Sequence, residues 1–340
     1  MLSPEPVRMT PRMQYRTLGN TGLRVSEIGF GGWAIGGTAE ASGVPLGWGR
    51  ANDDESLAAI RRARDLGVNF FDTADSYGFG RSESLIGIVL SRHRDDVVIA
   101  TKVGVVRSAD GILKKDFSRQ HLLHAVDGSL KRLRTDYIDI YQLHNPTLAD
   151  LRREEIQEAM DRLQDAGKIR FWGVSISTIE EGLEIVERGW GYTLQVLYNA
   201  LNQAPASELL PKAKEHEYGV IARVPLASGL LTGKYREDSV FGSDDVRQSF
   251  LTPKRLQEVT QAVDEVRSII GGSARSIAEG ALRFVLANDA ISTTIPGARN
   301  PRQVESNVAA AEGTLPAEVV EKLRSRLGDY NFYQRHGIRI

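Results

Sequence analysis

The sequence predicts an α/β fold: a single domain built as a closed (β/α)8 barrel, the TIM-barrel architecture, with long loops at its mouth. Two observations support this prediction. Eight short β-rich runs alternate with amphipathic segments at a spacing of roughly 25 to 40 residues, and no composition break or Pro/Ser-rich linker divides the 340 residues. Eight such units fit an open doubly wound sheet or a closed barrel, and one uninterrupted set of eight favours the barrel.

The eight predicted strands are runs rich in β-branched and aromatic residues, which favour strands. In chain order they cover residues 25–32, 68–74, 96–103, 137–144, 169–176, 193–200, 219–226 and 291–297. A helical segment precedes or follows each of them, as parallel strands with crossover connections require.

Six helices are predicted from the amphipathic segments. The first, 53–67, opens with acidic residues and closes on Gly67, which suits the helix dipole and a glycine C-cap. The second, 118–134, begins at Ser118 as a candidate N-cap and ends on basic residues. The other four cover residues 153–167, 178–189, 206–219 and 276–288.

Two long insertions interrupt this pattern. One covers residues 36–52 and is rich in glycine, and the other runs from about residue 228 to residue 259, before the last pair of helices. Long loops on a barrel usually carry function. We therefore expect both insertions to shape the site at the barrel mouth.

The composition excludes several classes of protein. The chain has no cysteine, so it has no disulfide framework, no Cys-based metal site and no thiolate nucleophile. Its 43 Lys and Arg against 44 Asp and Glu give a net charge of -1, which supplies no global attraction to nucleic acid or to an acidic membrane. No apolar run approaches the ~20 residues of a membrane span.

The first twelve residues differ from the rest of the chain. They contain three prolines and no apolar run, which argues against a secretory signal. We expect residues 1–12 to form a disordered extension, the barrel to cover residues 13–340, and the protein to be cytoplasmic by default.

Polar residues fall where three neighbouring predicted strands end, which is where barrels carry their chemistry. Asp72, Lys102 and His144 close the second, third and fourth strands, and Tyr77 lies five residues beyond Asp72. Taken singly, Asp72 and Lys102 would form a structural ion pair that offsets the cost of burying charge. A lone His144 would be a hydrogen-bonded core histidine. The combination of all four favours catalysis.

These residue types suit proton transfer to a carbonyl group. Tyrosine, with an ordinary pKa of ~10, is a poor proton donor near neutrality. An ammonium group beside it stabilises the phenolate and lowers that pKa, and a carboxylate behind the ammonium holds it in place. With an imidazole donor nearby, such a tyrosine can protonate a carbonyl oxygen as hydride arrives at the carbon, and no metal is needed.

Around these residues the chain resembles the aldo-keto reductase superfamily, in its bacterial and potassium-channel β-subunit branch. The resemblance runs from about Tyr15 to Asn307. Its motifs are YRTLGNTGLRVSEIGFGGWAIGG, NFFDTADSYGFGRSESLIG, VIATKVG, YIDIYQLHNP, IRFWGVSI, GVIARVPLASGLLTGKY and IPGARNPRQVESN. The resemblance implies a barrel that binds NADP(H) in extended form without a Rossmann domain and reduces aldehydes or ketones.

The resemblance also implies a catalytic tetrad of Asp72, Tyr77, Lys102 and His144. Tyr77 would be the general acid in reduction and the base in oxidation. Lys102, held by Asp72, would tune its pKa, and His144 would orient the substrate carbonyl.

Cofactor contacts follow from the same resemblance, at the strand ends, along the second insertion and at the start of the helix near residue 300. They are Gly31, Gly32, Trp33, Asp72, Ser175, Gln195, Arg223, Pro225, Leu226, Ser228, Gly229, Leu231, Lys234, Gly297, Arg299, Gln303 and Asn307. Arg299 would hold the 2′-phosphate, although Gly297, Ala298 and Gln303 depart from the family pattern.

Three of these assignments have plainer alternatives. Arg223 stands where many relatives have an aromatic residue; its planar guanidinium can stack on the nicotinamide or pair with an acidic residue at the rim. Gln195 can be an ordinary polar residue at a strand end. The second insertion can be a flexible loop instead of a belt over the cofactor.

The sequence motifs define the substrate pocket less closely than the cofactor contacts. Trp33, Tyr77, Trp48 and His144 are expected to line the pocket, and the C-terminal aromatic residues Phe332 and Tyr333 are further candidates. The expected partner is a small carbonyl or alcohol, with no nucleic acid or membrane, and an oligomer is possible but not required. Two other functions stay open: a cofactor-binding redox-sensor subunit with weak turnover, and a lyase that forms a Schiff base through a barrel lysine.

Overall fold

The structure is a computed structural model and describes residues 13–108 and 110–338. The expected disordered extension at residues 1–12 lies outside these residues. Within the described part, the chain has fourteen strands and twelve α-helices. None of those helices is long and apolar enough to cross a membrane.

Eight of the strands form one parallel sheet, in the order β3, β6, β7, β10, β11, β12, β13 and β14, and the others form three antiparallel hairpins, β1–β2, β4–β5 and β8–β9. The strands are β1 (Tyr15–Thr17), β2 (Arg24–Ser26), β3 (Phe30–Gly31), β4 (Glu40–Ala41), β5 (Val44–Pro45), β6 (Phe70–Asp72), β7 (Val98–Val103), β8 (Val105–Arg107), β9 (Leu113–Lys115), β10 (Ile138–His144), β11 (Ile169–Ser175), β12 (Thr193–Leu197), β13 (Gly219–Arg223) and β14 (Ile291–Thr294).

The sheet closes into a barrel between its first and last strands. Parallel bridges join Ile28, two residues before β3, to Thr294, and Gly31, the last residue of β3, to Gly297. The amide of Gly29 donates to the carbonyl oxygen of Thr294 at 2.8 Å. The predicted (β/α)8 barrel is therefore confirmed.

Seven of the eight predicted strands lie at the expected positions, each shortened at one or both ends. The predicted strand 25–32 is wrong. Arg24–Ser26 pairs antiparallel with Tyr15–Thr17 in a hairpin, and only Phe30–Gly31 joins the barrel. The apolar pattern of a run does not show which sheet each of its residues joins. The sequence therefore could not separate residues 24–26, in the hairpin, from residues 30–31, in the barrel.

Helices surround the barrel. They are α1 (Asp53–Asp65), α2 (Arg81–Leu90), α3 (Arg119–Leu133), α4 (Leu148–Leu151), α5 (Glu154–Asp165), α6 (Ile179–Arg188), α7 (Leu209–Glu215), α8 (Pro253–Ile270), α9 (Ile277–Leu286), α10 (Pro301–Val308), α11 (Ala317–Leu327) and α12 (Phe332–Arg335). All six predicted helices are present.

The two predicted capping residues lie at the helix termini where they were expected. Gly67 follows α1 with φ +86°, and the amide of Val68 donates to the carbonyl oxygen of Ala63 at 3.0 Å, which closes the last turn. Ser118 caps α3 by accepting from the amide of His121 at 3.3 Å.

Four helices were not predicted, namely α2, α4, α11 and α12, and α8 begins earlier than expected. Seven of the ten residues of α2 are buried, so no polar face marks it in the sequence. The α8 helix begins at Pro253 behind Thr252, whose hydroxyl accepts from the amide of Arg255 at 3.4 Å. This Thr-Pro start ends the second insertion at residue 252, so the predicted boundary at 259 is wrong.

An apolar plug closes the amino-terminal end of the barrel. Leu18, Leu23 and Val25 of the β1–β2 hairpin region pack against side chains that point into the barrel, among them Phe70 and Ile140. This cluster fills the amino-terminal end of the barrel, opposite the end at which the strands terminate.

Arg16 attaches the same hairpin to the last strand of the barrel. Its guanidinium donates to the carbonyl oxygens of Ile291 at 2.7 Å and Leu286 at 2.9 Å, and to the carboxylate of Glu27 at 2.6 Å. Both the plug and the barrel closure therefore join the start of the described chain to its final strand.

Candidate active site

A cavity of about 640 Å³ lies at the carboxyl ends of the barrel strands. Asp72 ends β6, Lys102 lies near the end of β7 and His144 ends β10, and these three strands are neighbours in the sheet. Tyr77 follows in the loop between β6 and α2. The four residues that the sequence singled out therefore come together at one end of the barrel.

Lys102 is held by three hydrogen bonds. Its ammonium donates to Asp72 Oδ2 at 2.6 Å, to the carbonyl oxygen of Thr73 at 2.9 Å and to the Tyr77 hydroxyl at 3.1 Å. Lys102 is 0% exposed and Asp72 is 2% exposed. The charge is thus fixed against the phenol, and all three ammonium protons have partners.

The other carboxylate oxygen of Asp72 is also satisfied. Asp72 Oδ1 accepts from the side-chain amides of Gln142 at 3.2 Å and Gln195 at 2.7 Å. Gln142 was not predicted, although it lies opposite Lys102 in the register of β7 and β10 and so points the same way. Gln195 is part of the network behind the tetrad as well as a lining residue of the cavity.

The pKa of Tyr77 differs from the expected lowering. Burial of the phenol raises its pKa, and the nearby Lys102 ammonium opposes this by favouring the phenolate. Burial is the larger effect, so the pKa lies above its ordinary value and Tyr77 holds its proton at neutral pH. The predicted effect of Lys102 is present but does not dominate.

The pKa values of Lys102 and His144 are shifted in opposite directions. Burial lowers the pKa of Lys102, but Asp72 and Tyr77 outweigh it and leave that pKa above its ordinary value. The amine is therefore protonated, which argues against a Schiff base through Lys102. Burial, with Lys102 and two further cations, holds the pKa of His144 well below its usual range. His144 is a neutral imidazole, and its Nδ1 lies 3.4 Å from the Ser76 hydroxyl.

Aromatic side chains form one wall of the cavity. Trp33 stacks between Tyr77, with ring centroids 5.9 Å apart, and Trp48, at 5.7 Å. The indole N–H of Trp33 donates to the carbonyl oxygen of Leu46 at 3.0 Å, and the edge of His144 faces Tyr77 at 5.8 Å. The four residues expected to line the substrate pocket therefore form one row, in which each ring lies against the next.

Most residues proposed for the cofactor line the same cavity. They are Gly31, Trp33, Asp72, Ser175, Gln195, Arg223, Pro225, Leu226, Ser228, Gly229, Lys234, Gly297, Arg299, Gln303 and Asn307. Two do not line it. The carbonyl oxygen of Gly32 accepts from the hydroxyl of Ser82 at 2.9 Å, outside the cavity, and Leu231 is fully buried in the core.

Arg223 lies at the end of β13 and is 8% exposed. It donates to the carbonyl oxygen of Ile176 at 3.0 Å, and its Nε has no hydrogen-bond partner among the described residues. No carboxylate of the described residues forms an ion pair with it, so the alternative of a pair with an acidic rim residue is wrong. A buried cation without a counter-charge faces the cavity.

The two insertions contact each other across the cavity mouth. Trp48 forms an antiparallel bridge with Asp245, and the amide of Val246 donates to the carbonyl oxygen of Gly47 at 2.9 Å. Arg247 was not predicted; it pairs with Asp245, and its guanidinium lies 5.3 Å from the ring centre of Trp48. The second insertion is thus hydrogen-bonded to the first and is not a free loop.

Arg299 reaches the first insertion from the other side. Its guanidinium donates to the carbonyl oxygens of Trp48 and Arg50, and its amide donates to Gln303 Oε1 at 2.8 Å. Asn300 caps α10 by accepting from the amide of Gln303 at 3.0 Å. Arg299 therefore borders the cavity beside the amino-terminal turn of α10.

Ser175 lines the cavity as expected, whereas the C-terminal aromatic residues do not. Ser175 donates to Asn145 Oδ1 at 2.9 Å, and Asn145, which lines the cavity beside His144, was missed. The C-terminal aromatic residues do not line the cavity: Phe332 and Tyr333 are buried in the core, and the Tyr333 hydroxyl lies 2.9 Å from that of Ser228.

Asp75 is an acid in the same loop as Tyr77. Its Oδ1 is shielded from solvent and has no hydrogen-bond partner in the described part of the chain. Burial, together with the Glu83 carboxylate, raises the pKa of Asp75 to about 8. We therefore expect its carboxyl group to be protonated at pH 7.

We expect Asp75→Asn to change the pH dependence of stability. The pKa of Asp75 is higher in the folded than in the unfolded protein, so its protonated carboxyl contributes to the free energy of unfolding. This contribution is fully present below about pH 4 and is lost as the pH rises through about 8. The asparagine variant cannot lose a proton, so it should gain about 1 to 3 kcal/mol relative to wild type between pH 5 and pH 9. Urea unfolding across this range measures the difference, and parallel curves would contradict it.

Comparisons with known proteins identify one family. The model of the aldo/keto reductase family matches residues 27–327. Aldo-keto reductase YhdN of Bacillus subtilis is 35% identical over 313 residues, which cover 90% of this chain and 91% of that protein. A probable voltage-gated potassium channel subunit beta of Oryza sativa is 31% identical, over 92% of this chain and 96% of the relative.

One similar solved structure is an aldo/keto reductase from Klebsiella pneumoniae in complex with NADP and acetate. It is 27% identical, with a TM-score of 0.68, over 90% of this chain and 93% of that chain. At this identity and coverage the two chains share their fold.

Proposed function

Because the chain belongs to the aldo/keto reductase family, we propose that it is an NADP(H)-dependent oxidoreductase that reduces aldehydes and ketones by direct hydride transfer. The observation that carries the proposal is the contact of the Tyr77 hydroxyl with the buried Lys102 ammonium at 3.1 Å, in a cavity that a neutral His144 also lines. Within the described residues, no group of three or more His, Asp or Glu side chains is arranged to hold a metal ion.

Each residue of the tetrad has a distinct role in this reaction. A nicotinamide cofactor held in the cavity would supply the hydride for the carbonyl carbon. Tyr77 gives its proton to the carbonyl oxygen, and the Lys102 ammonium stabilises the phenolate that this step leaves. Asp72 holds Lys102 in place, and the neutral imidazole of His144 donates a hydrogen bond that orients the carbonyl.

The cavity suits a long anionic cofactor. Lys234 and the backbone around Ser228 lie along the second insertion, and Arg299 lies beside the amino-terminal turn of α10, where cations and amides suit phosphate groups. Between these and Tyr77, the unpaired guanidinium of Arg223 offers a flat face to the nicotinamide end. The NADP complex of the Klebsiella pneumoniae relative supports the same cofactor class.

A panel of aldehydes, ketones and sugars, assayed with NADPH and NADH in parallel, tests the proposal. We expect turnover of several carbonyl compounds with NADPH and weaker turnover with NADH. One relative is a probable potassium channel subunit beta, and the alternative function is a cofactor-binding, redox-sensing subunit. Tight NADPH binding with negligible turnover of every carbonyl would favour that alternative and contradict the proposed reaction.

Arg299→Ala tests the preference for NADP(H). Loss of a charge-assisted contact to the 2′-phosphate should weaken NADPH binding about tenfold to a hundredfold. NADH lacks this phosphate, so its affinity in the variant reports only the loss of contacts to Trp48 and Arg50. Titrations of both cofactors by protein fluorescence measure the two effects. Equal losses for NADPH and NADH would restrict Arg299 to holding the first insertion.

A further inference from the structure

The hairpin after β7 carries a cation into the cavity. Residues of a strand alternate between its two faces, and on β9 both Leu113 and Lys115 line the cavity whereas Lys114 between them does not. Val105, the register partner of Lys115 on β8, also lines it. The hairpin therefore contributes one apolar, one cationic and one further apolar side chain to the wall.

Lys115 lies on the side of the barrel away from Arg223, which is assigned to the nicotinamide end of the cofactor. Its hairpin follows β7, the third strand of the sheet, and Arg223 ends β13, the seventh, so the two lie across an eight-stranded barrel from each other. Leu113 lines the cavity from the same face of the hairpin, and the Lys115 ammonium lies against the backbone of His144. A cation on this side faces the substrate.

The ammonium group of Lys115 is close to the tetrad and lacks a counter-charge. It donates to the carbonyl oxygen of His144 at 2.6 Å. It forms no ion pair with a carboxylate of the described residues, and the acids that act on it, Asp150, Glu181 and Asp75, do so from a distance. Two of its three protons are free to bind a ligand.

We propose that Lys115 is a specificity residue that binds an anionic oxygen group, carboxylate or phosphate, on the carbonyl substrate. This inference rests on the proposed function. A ligand whose carbonyl reaches the imidazole of His144 and whose anion reaches Lys115 must join the two by a short chain. Trp33, Trp48 and Leu113 make the rest of that wall largely apolar. Arg247, which lies over Trp48, is the other cation there, and Asp245 already neutralises it.

Matched substrates separate charge from shape. Succinic semialdehyde and its methyl ester carry the same carbonyl and chain, and only the acid has a charge; phosphonoacetaldehyde against propanal tests the phosphate-like anion. We expect Lys115→Met to raise KM for succinic semialdehyde about tenfold, with little change in kcat and no change for the ester. Lys115→Arg should restore most of the affinity. Lys114→Met, one residue away on the opposite face, is the matched control and should behave as wild type.

The outcomes are distinguishable. A fall in kcat for acid and ester alike would mean that Lys115 only positions His144 through its carbonyl, and unchanged kinetics for both would also overturn the proposal. Calorimetric binding of succinate to wild type and Lys115→Met does not depend on turnover. If wild type turns over no carbonyl but binds succinate about tenfold more tightly than the variant, the proposed reaction fails and the anion site stands.

Discussion

Replacement of Tyr77 by phenylalanine is expected to lower the rate of carbonyl reduction by at least about a thousandfold and to leave NADPH affinity unchanged. General acid catalysis is typically worth ~10² to 10⁴ in rate, and Tyr77 is the only phenol that contacts Lys102 among the described residues. Without the hydroxyl, no group at this point can give a proton to the carbonyl oxygen. Absorbance of NADPH under single-turnover conditions measures the loss.

The substitution is well controlled because the ring remains. Phenylalanine keeps the stack on Trp33 and the edge contact with His144, so the aromatic wall and the pocket shape persist. NADPH titration by fluorescence should give the wild-type dissociation constant. A variant that binds NADPH normally and still reduces aldehydes at near the wild-type rate would contradict the assignment of Tyr77 as the general acid.

Lys102→Met is expected to remove turnover and to destabilise the fold by about 3 to 5 kcal/mol, because it leaves the carboxylate of Asp72 buried without its counter-charge. The two glutamine amides on Asp72 Oδ1 compensate only in part. Urea unfolding measures the change in free energy of unfolding, and NADPH oxidation measures turnover.

The double variant Lys102→Met, Asp72→Asn separates the two losses. Asparagine is neutral and can still accept from Gln195, so stability should largely return while turnover does not. This variant also keeps the test usable if the single variant is insoluble. A single variant as stable as wild type would show that the ion pair is not needed to bury Asp72.

Asp72, Lys102 and His144 could be predicted to lie together because they fall at the ends of apolar strands, where a polar side chain is conspicuous, and Tyr77 follows the first of them by five residues. The supporting residues are not conspicuous. Gln142 lies inside a strand, and only its register opposite Lys102 shows that it points to Asp72. Lys115 lies in a hairpin that has no helical or barrel-strand pattern, and Arg247 reaches the cavity from the middle of an insertion. Their positions depend on how the loops pack.

Two other features could not be predicted from the sequence: which strands pair with each other, and how deeply a side chain is buried. The β1–β2 hairpin and β3 belong to different sheets, although the run 25–32 looks continuous. The effect of Lys102 on the Tyr77 pKa was predictable from charge alone, whereas the larger effect of burial depends on how deeply the phenol sits. Sequence patterns report the identity of neighbours along the chain and not the depth of a side chain.

The attachment of Arg16 to the last strand has a consequence for synthesis on the ribosome. Leu18, Leu23 and Val25 emerge early, but the carbonyl oxygen of Ile291 that Arg16 binds emerges some 275 residues later. Contacts of such long sequence separation form slowly. The bonds of Arg16 to the last strand therefore form late, whereas Phe70 and Ile140 of earlier strands can already cover the apolar side chains of the hairpin. Barrel closure, which joins residues 28 and 31 to residues 294 and 297, likewise has to follow synthesis of the last strand.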